Sequence, residues 1–584
     1  MNQMANTIMK SSRAIGIHAV ACRIPPKRTL TALGTAIGLL FLSLGMNSYA
    51  QTNVTPAQYL ALQQKPNFAA SYHLPHLSVC MYYPYSDTCI EIAKDWGYAL
   101  YAGTGSYNNN FSTDLANTNS TLWIAIRLAH SDPTHYQLQL NINQRYMNPA
   151  ATGYPTNIGV WTTNSAGLLV APYGTNTFSD PNYLSTSNIL SPEGDDNYWS
   201  NAAAWWVAPI ATIASNAPIA IVENEGEYGL GHFGSGRSQA WCQDPRVQAD
   251  TNSSPWNTYI GGNGDYSTNG WLLWFNYSSY RFAHQYQFTT DAIRALLPNR
   301  DLYILYGPDG ESYRYLNIGG TGTGNGTNWA TPGAFNGYYT RSLSDYPNFE
   351  SYYNHFNTGF VGVNSLGNGS NEDMLTKYLN AVGAFITYGP TTNYSWVSGG
   401  YTTNNFGNIT NYTGLLKCYY TAGMMGGVAS YFNADQTENP FSPTNPPQWL
   451  LQIMALGHVH ALFSHIDNFI WNGDLLPGNG MHISSTDQPA YEFTNTTADA
   501  TARVLARKLR GQNQWIVTAW AADGTNRNVT VSIPTVGVLT VLAANSGSVY
   551  QVTMSGTNVQ QTLLDEYASF PPLAPPTNVR VLSK

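Results

Sequence analysis

Apolar runs of strand length alternate with helix-like stretches over most of the chain. Short apolar or alternating runs predict strands, and stretches with apolar residues at every third or fourth position predict helices. The predicted strands are 95–101, 136–142, 167–172, 217–222, 301–306, 350–356, 394–397 and 428–432. The predicted helices are 121–130, 198–215, 277–297, 372–386, 412–425 and 447–470. Because this alternation runs uninterrupted for seven or eight units, it favours an α/β fold of the (β/α)8 TIM-barrel type over an open sheet.

The pattern changes near residue 500, where short alternating runs follow one another without intervening helices. These runs are 514–520, 528–533, 538–542 and 549–554, with a turn signal at Asp523-Gly524 between the first two. Such a series predicts a small antiparallel β-sandwich. We therefore expect a barrel domain over residues 51–484, a C-terminal β-sandwich domain over 485–570 and a proline-rich tail over 571–584.

Residues 1–50 have the features of a signal peptide. Basic residues precede an apolar stretch from Leu30 to Leu44, and Ser48-Tyr49-Ala50 is typical of a cleavage site before Gln51. No later segment has the eighteen or so uninterrupted apolar residues that a membrane span requires. We therefore expect a secreted protein, extracellular or periplasmic, with no membrane span in its mature form.

Composition narrows the class of ligand. Charged residues make up 10% of the chain, against about 25% in ordinary globular proteins, and the 41 tyrosines and 16 tryptophans stand out. Aromatic rings and neutral hydrogen-bonding groups suit a sugar, so we expect a polysaccharide or oligosaccharide partner. The alternative is that this composition reflects only an extracellular environment and no sugar ligand. The net charge of −8, without a basic cluster after the signal, argues against nucleic acid as a partner.

We expect no cofactor and no metal. The glycine-rich stretch 319–326 follows no predicted strand and opens no helix, so it does not predict a phosphate-binding loop. His458, His460 and His465 are close in sequence, but on a helix His460 points away from the other two and no carboxylate completes a zinc site. Gly-x-Ser-x-Gly and His-Glu-x-x-His motifs are absent from the sequence, which removes the usual support for an esterase or zinc protease.

Three glutamates fall within five residues at Glu223, Glu225 and Glu227, directly after the predicted strand 217–222. The carboxyl ends of barrel strands are where barrel enzymes keep their catalytic residues. Like charges placed close together also raise proton affinity, which a general acid needs at neutral pH. The alternative is a solvated acidic turn.

With these features the chain resembles the superfamily of (β/α)8-barrel glycoside hydrolases that carry a C-terminal β-sandwich, over roughly residues 75–565 in architecture. The motif behind the resemblance is Asn224-Glu225 at the end of the predicted fourth strand. In the retaining families such a pair places the general acid/base. The resemblance therefore implies that Glu225 protonates the leaving oxygen and that Asn224 binds the adjacent sugar.

The second carboxylate is less clear from the sequence. Those families place the nucleophile after the seventh strand, but the segment 394–401 contains no carboxylate. Asp309 and Glu311 after the fifth predicted strand, Glu350 and Glu227 are the candidates, with a plain turn as the alternative for the first two. The separation of the two carboxyl groups would decide between a retaining and an inverting mechanism, and the sequence leaves this open.

The candidate catalytic residues are thus Glu225, Glu311, Asp309 and Glu350, and the candidate substrate-binding residues are Asn224, Glu227, His355 and Tyr353. A satisfied core histidine is the alternative for His355. We expect a secreted glycoside hydrolase that cleaves a neutral or weakly charged polysaccharide by carboxylate acid/base catalysis. A non-catalytic glycan-binding or surface protein and a polysaccharide lyase are the alternatives. The sugar, the linkage and endo or exo action stay open.

Overall fold

The computed structural model describes most of the chain from residue 53 onward. The described residues are 53–80, 86–103, 110–142, 161–168, 191, 193–224, 243–250, 268–298, 303–306, 343, 350–352, 375, 378–379, 382, 392–398, 408–430, 438–478, 493, 502–568 and 570. All of them belong to one compact unit, Asn53–Lys584. Among these residues, no helix has the length and apolar character needed to cross a membrane.

The chain alternates helices and strands before it enters a purely antiparallel region. The helices are α1 (Pro56–Leu62), α2 (Asp87–Asp95), α3 (Ser112–Ala116), α4 (Thr121–Ser131), α5 (Asp196–Asn216), α6 (Pro245–Ala249), α7 (Thr268–Leu296), α8 (Ile409–Ala422), α9 (Gln448–Ser464) and α10 (Asp467–Asn472). The first eight strands are β1 (Ser78–Cys80), β2 (Leu100–Gly103), β3 (Leu138–Ile142), β4 (Ile219–Asn224), β5 (Tyr303–Tyr306), β6 (Glu350–Tyr352), β7 (Asn393–Ser398) and β8 (Met424–Ser430). The remaining strands are β9 (Gly473–Leu475), β10 (Ala502–Leu509), β11 (Gln514–Ala521), β12 (Arg527–Ile533), β13 (Gly537–Ala543), β14 (Ser548–Ser555) and β15 (Asn558–Leu563).

The first eight strands form two parallel four-stranded sheets, in the orders β6-β7-β8-β1 and β2-β3-β4-β5. A parallel bridge between Leu77 and Tyr98 joins β1 to β2. It is closed by hydrogen bonds from Leu77 N to Gly97 O (2.9 Å) and from Ala99 N to Leu77 O (2.7 Å). Within the described residues, the neighbours thus run in the order β6-β7-β8-β1-β2-β3-β4-β5, so that β8 lies beside β1.

Local chemistry explains where the helices around these strands begin and end. Helix α4 starts after Ser120, whose hydroxyl accepts from Trp123 N, and α5 starts after Asp195, whose carboxylate accepts from Asn197 N. Helix α8 is capped by Asn408 at its start and by Gly423 after its last residue, Ala422, and the φ of 120° at Gly423 favours glycine. The helices pack their apolar sides on the strands, so that β3 and β4 are buried along their whole length.

The structure confirms most of the predicted elements and corrects their numbering. Strands β3 and β4 pair directly, so no strand stands between them in the sheet. Of the predicted strand 167–172, Gly167 lies in a bend, and residues 169–172 lie outside the described residues. The first strand is instead β1, which was not predicted. The strand that begins at Ile219 is thus the fourth, as predicted. The strands predicted as the first and second are in fact β2 and β3.

Two further boundaries differ for reasons of backbone geometry. Strand β2 begins at Leu100 and not at Asp95, because Gly97 has a φ of 82° and lies against the Phe68 ring. The predicted helix 412–425 ends at Ala422, so that Met424 already belongs to β8.

The C-terminal strands form an antiparallel five-stranded sheet in the order β15-β14-β11-β10-β9 and a separate hairpin of β12 and β13. The central strands β10 and β11 are buried on both faces. One face of β11 contributes Ile516 and Trp520 to the main core, and the other contributes Trp515 and Val517 to a smaller core shared with the hairpin. Strand β9 belongs to this sheet although it precedes the predicted boundary at residue 485, and that boundary stays a prediction.

Candidate functional site

Polar side chains occupy one face of three adjacent parallel strands close to their carboxyl ends. Asn141 on β3 is in register with Gly103 on β2 and with Glu223 on β4, and Gln139 is in register with Tyr101. Registered residues of a parallel sheet point to the same side, and every second residue of a strand does so too. We call Tyr101, Gln139, Asn141 and Glu223 the strand-end layer.

Gln139 is the centre of this layer. Its Oε1 accepts a hydrogen bond from Val79 N of β1 at 3.0 Å, and its Nε2 donates to Glu223 Oε2 at 3.0 Å. Because the backbone N–H can only donate, it fixes which end of the amide faces Glu223. Glu223 is therefore held as a hydrogen-bond acceptor, in an orientation that depends on β1, β3 and β4 together.

The side chain of Tyr101 lies along β2 over Gly103. A Cβ atom added at Gly103 would overlap the Tyr101 phenol, whose Cζ would lie 2.7 Å away. A glycine at this position therefore leaves the space that the tyrosine fills. The phenol therefore lies on the same strand face as the amide groups of the neighbouring strand β3.

The strand-end layer is closed to solvent. Gln139 is fully buried, and Glu223 and Asn224 are each 1% exposed. Asn224 is in register with Ile142 and Tyr306, so it lies on the opposite face of β4 from Glu223. The predicted role of Asn224 in substrate binding stays a prediction.

None of the other predicted site residues has a side chain that the structure describes. Glu350 opens β6 and is in register with Trp396, but its side chain is not among the described ones. Residues outside the described part of the chain are Glu225, Glu227, Asp309, Glu311, Tyr353 and His355. Of the glutamate cluster, the structure thus brings Glu223 together with Gln139 and Asn141.

Sequence reasoning missed Gln139, Asn141 and Tyr101, and placed Glu223 in the glutamate cluster without a role. A signal was present in the run Gln137-Leu-Gln-Leu-Asn-Ile142, where polar and apolar residues alternate. Both faces of this strand are buried, so its polar residues need internal partners. Amides at every second position of a buried strand therefore indicate a polar network on one face.

A second polar network joins the segments that follow β3 and β4. The Ser191 hydroxyl donates to Asp244 Oδ2 at 2.7 Å, and Asp244 is fully buried. Arg246 pairs with the same oxygen at 2.8 Å and also donates to the carbonyl of Trp161. These contacts tie together the two segments that leave the carboxyl ends of β3 and β4.

The three histidines near the end of the parallel region have separate surroundings. His460 is buried, with its Nδ1 2.8 Å from the Tyr420 hydroxyl, and burial followed by the charge of His76 lowers its pKa to about 3. His458 pairs with Glu566, and His465 Nε2 lies 2.8 Å from Asn67 O. Among the described residues, no group of three or more histidine, cysteine, aspartate or glutamate side chains is arranged to hold a metal ion.

Comparison with known proteins gives matches by structure alone. No protein-family model matches the chain, and no curated protein matches it. A noncanonic maltogenic α-amylase from Thermotoga neapolitana matches with 11% identity and a TM-score of 0.34, over 76% of this chain and 81% of that one. An α-galactosidase I from Mortierella vinacea matches with 8% identity and a TM-score of 0.37, over 82% and 96%.

An α-amylase from Geobacillus thermoleovorans matches with 12% identity and a TM-score of 0.33, over 77% of this chain and 82% of that one. These matches confirm the expected resemblance to glycoside hydrolases as a weak structural similarity to several of them. At these TM-scores the matches carry no argument about mechanism or substrate.

Proposed function

We propose that this protein is a glycoside hydrolase whose catalytic site lies at the carboxyl end of β4. The observation that carries the proposal is the strand-end layer, in which Gln139 fixes the carboxylate of Glu223 in register with Asn141. A carboxylate held by an amide at the end of parallel strands belongs to the region where barrel enzymes carry out chemistry.

The barrel architecture is part of the proposal. Eight parallel strands in chain order, with β8 paired to β1, have the order of a closed (β/α)8 barrel. The bond from Val79 N to Gln139 Oε1 crosses β2. In a flat sheet, two strand spacings of about 4.8 Å each separate β1 from β3, more than a glutamine side chain spans. Strong curvature of the sheet, as in a barrel, accounts for this contact. We likewise propose that the C-terminal sheet and hairpin form a β-sandwich.

Glu225 is the proposed general acid/base. Period-two alternation from Glu223 predicts the same face for Glu225, one step nearer the carboxyl end of β4. Glu223 is buried and acts as a supporting carboxylate below the reacting groups. Its negative charge, beside that of Glu225, would favour the protonated form of Glu225 that donates to the leaving oxygen.

We propose that one of Asp309, Glu311 and Glu350 supplies the second catalytic carboxylate. Asp309 and Glu311 follow β5, the direct neighbour of β4, whereas Glu350 opens β6 at its amino end. Carboxyl ends of neighbouring parallel strands meet at one edge, so the two residues after β5 are the better placed. A carboxyl separation of about 5–5.5 Å from Glu225 would predict retention, and one of about 6.5–9.5 Å would predict inversion.

The proposed substrate is a neutral or weakly charged polysaccharide, and the proposed location is outside the cytoplasm. The support for the substrate is the composition, with 41 tyrosines and 16 tryptophans and a net charge of −8. Asn224, Glu227, Tyr353 and His355 are its proposed binding residues.

The support for export is the basic and apolar pattern of residues 1–50.

The reaction class is tested by incubating the purified protein with a panel of plant and algal polysaccharides. New reducing ends are measured together with the ultraviolet absorbance of unsaturated sugar products. Hydrolysis gives reducing ends without unsaturated products, as the proposal expects. Reducing ends with unsaturated products would identify a lyase, and retention on an immobilised glycan without any cleavage would identify a binding protein. Either of these results contradicts the proposal.

A further inference from the structure

One polar side chain of the strand-end layer is not used by the fold. Asn141 is 5% exposed, and among the described residues its side-chain amide has no hydrogen-bond partner. Gln139, two residues earlier on the same face of β3, uses both ends of its amide, on Val79 N and on Glu223. A buried amide without a partner costs stability. Asn141 therefore does not stabilise the strands by hydrogen bonding.

Asn141 lies between the strand that carries the phenol and the strand that carries the carboxylate. It is in register with Gly103 on β2 and with Glu223 on β4. The Tyr101 phenol fills the space over Gly103, because a Cβ atom added there would lie 2.7 Å from its Cζ. Neighbouring strands are about 4.8 Å apart, so the phenol occupies the position next to Asn141.

The small accessible surface of the layer belongs mainly to these two side chains. Gln139 is fully buried and Glu223 is 1% exposed, whereas Tyr101 is 8% exposed. Gly103 is the last residue of β2 and Asn141 the last but one of β3. A side chain at the bottom of a narrow pocket is covered by its neighbours and reaches the solvent with a small part of its surface. Asn141 and Tyr101 have this position at the carboxyl ends of the strands.

We propose that Asn141 binds a hydroxyl group of a neutral sugar, with the Tyr101 phenol as the wall beside it. The inference rests on the proposed function, which places the catalytic site at this end of the strands. A side-chain amide both donates and accepts hydrogen bonds, and so does a hydroxyl group. One sugar hydroxyl thus supplies the partner that the fold does not. An aromatic ring next to it suits the apolar C–H face of a sugar.

The neighbouring carboxylate makes this site selective for uncharged groups. Glu223 accepts from Gln139 Nε2 at 3.0 Å and is in register with Asn141. A sugar carboxylate or sulfate on Asn141 would lie near this negative charge, in buried surroundings where like charges repel more strongly than in water. A hydroxyl group meets no such repulsion. The site therefore favours an unsubstituted sugar over a uronate or a sulfated one.

The test compares wild type with Asn141→Ala in native gels that contain soluble starch, mixed-linkage β-glucan, galactomannan or agarose. The dissociation constant obtained from the retardation should rise about tenfold in the variant. Its melting temperature should change little, because no described group loses a hydrogen bond. A lower melting temperature with unchanged affinity would indicate a structural role and overturn the proposal. Asn528→Ala, at an exposed position of β12, is the matched control and should bind like wild type.

Binding and cleavage are measured separately, so that failure of this inference is distinguished from failure of the proposed function. New reducing ends are determined on the same polysaccharides. A wild type that binds without cleaving refutes the proposed hydrolysis, and the Asn141→Ala comparison still decides on the sugar site. Polygalacturonate serves as the anionic probe. A wild type that no neutral gel retards, or that polygalacturonate retards more strongly, would contradict the inference.

A second measurement keeps the proposal testable if Asn141→Ala folds poorly. Crystals of Glu225→Gln are soaked with an oligosaccharide prepared from the neutral polysaccharide that binds best. A sugar oxygen within about 3.2 Å of the Asn141 side-chain amide supports the proposal. A sugar bound without contact to Asn141 would overturn it.

Discussion

Gln139 links three strands through a single amide group. It accepts from the backbone of β1 and donates to Glu223 on β4, while its own backbone belongs to β3. Both partners are polar groups in a buried environment, and a buried polar group is costly when it lacks a hydrogen bond. The residue therefore stabilises the strand-end layer and also sets the orientation of its carboxylate.

Replacing Gln139 by leucine tests this role. Gln139→Leu keeps the volume but removes a partner from both Val79 N and Glu223 Oε2, so the free energy of unfolding should fall by about 2 to 4 kcal/mol. Urea denaturation measures the change. Gln560→Leu on the exposed edge strand β15 is the control and should change stability by less than about 0.5 kcal/mol. Equal effects of the two substitutions would show that the Gln139 bonds contribute little.

At the level of elements, α8 is the helix that connects the parallel strands to the C-terminal sheet. It packs its Gly414 against the Trp520 indole of β11. Asn411 Nδ2 donates to Ala522 O at 2.8 Å, and Lys417 Nζ donates to Gly547 O at 2.8 Å. The close approach of helix and strand depends on the absence of a side chain at Gly414.

Gly414→Ala tests the packing of α8. A Cβ atom at this position would overlap the Trp520 indole and lie 2.8 Å from Asn545 O. We expect a loss of about 1 to 3 kcal/mol in stability from overpacking, although alanine favours a helix by about 1 kcal/mol over glycine. Thr410→Ala, at an exposed position of the same helix, serves as control. A Gly414→Ala protein as stable as wild type would contradict the described packing.

Elements could be predicted from the sequence wherever their periodicity was long enough. Helix α4 was expected at 121–130 and lies at Thr121–Ser131. Strand β1 was missed because it has three residues, Ser78–Cys80, too few to show a period. The partners of Gln139 could not be predicted either, because Val79 and Glu223 come from distant parts of the chain. Such contacts arise only when the strand order brings β1, β3 and β4 together.

At the level of the whole molecule, the end of the C-terminal region folds back onto the start of the described chain. Asn67 Nδ2 donates to Glu566 O at 2.6 Å, and the Tyr567 hydroxyl donates to Lys65 O at 2.7 Å. Phe570 stacks on His465 with ring centroids 4.2 Å apart. Residues 565–568 and Phe570 therefore tie the two ends of the compact unit together.

Truncation tests how much this tie contributes. A chain ending at Leu564 should unfold at lower temperature than a chain ending at Phe570, because it lacks the hydrogen bonds of Glu566 and Tyr567. Each such bond contributes about 1 kcal/mol, so the expected loss is about 2 kcal/mol. Comparing these two chains removes any effect of residues 571–584. Identical melting temperatures would show that the contacts are incidental.

In the proposed mechanism, acid/base catalysis depends on Glu225, and the turnover rate of Glu225→Gln measures this dependence. The substrate is the polysaccharide found with the wild type, and the melting temperature confirms that the variant is folded. We expect kcat to fall at least about a hundredfold, while Asp87→Asn at an exposed position retains the wild-type rate. A folded Glu225→Gln protein that cleaves the substrate as fast as wild type would contradict the account.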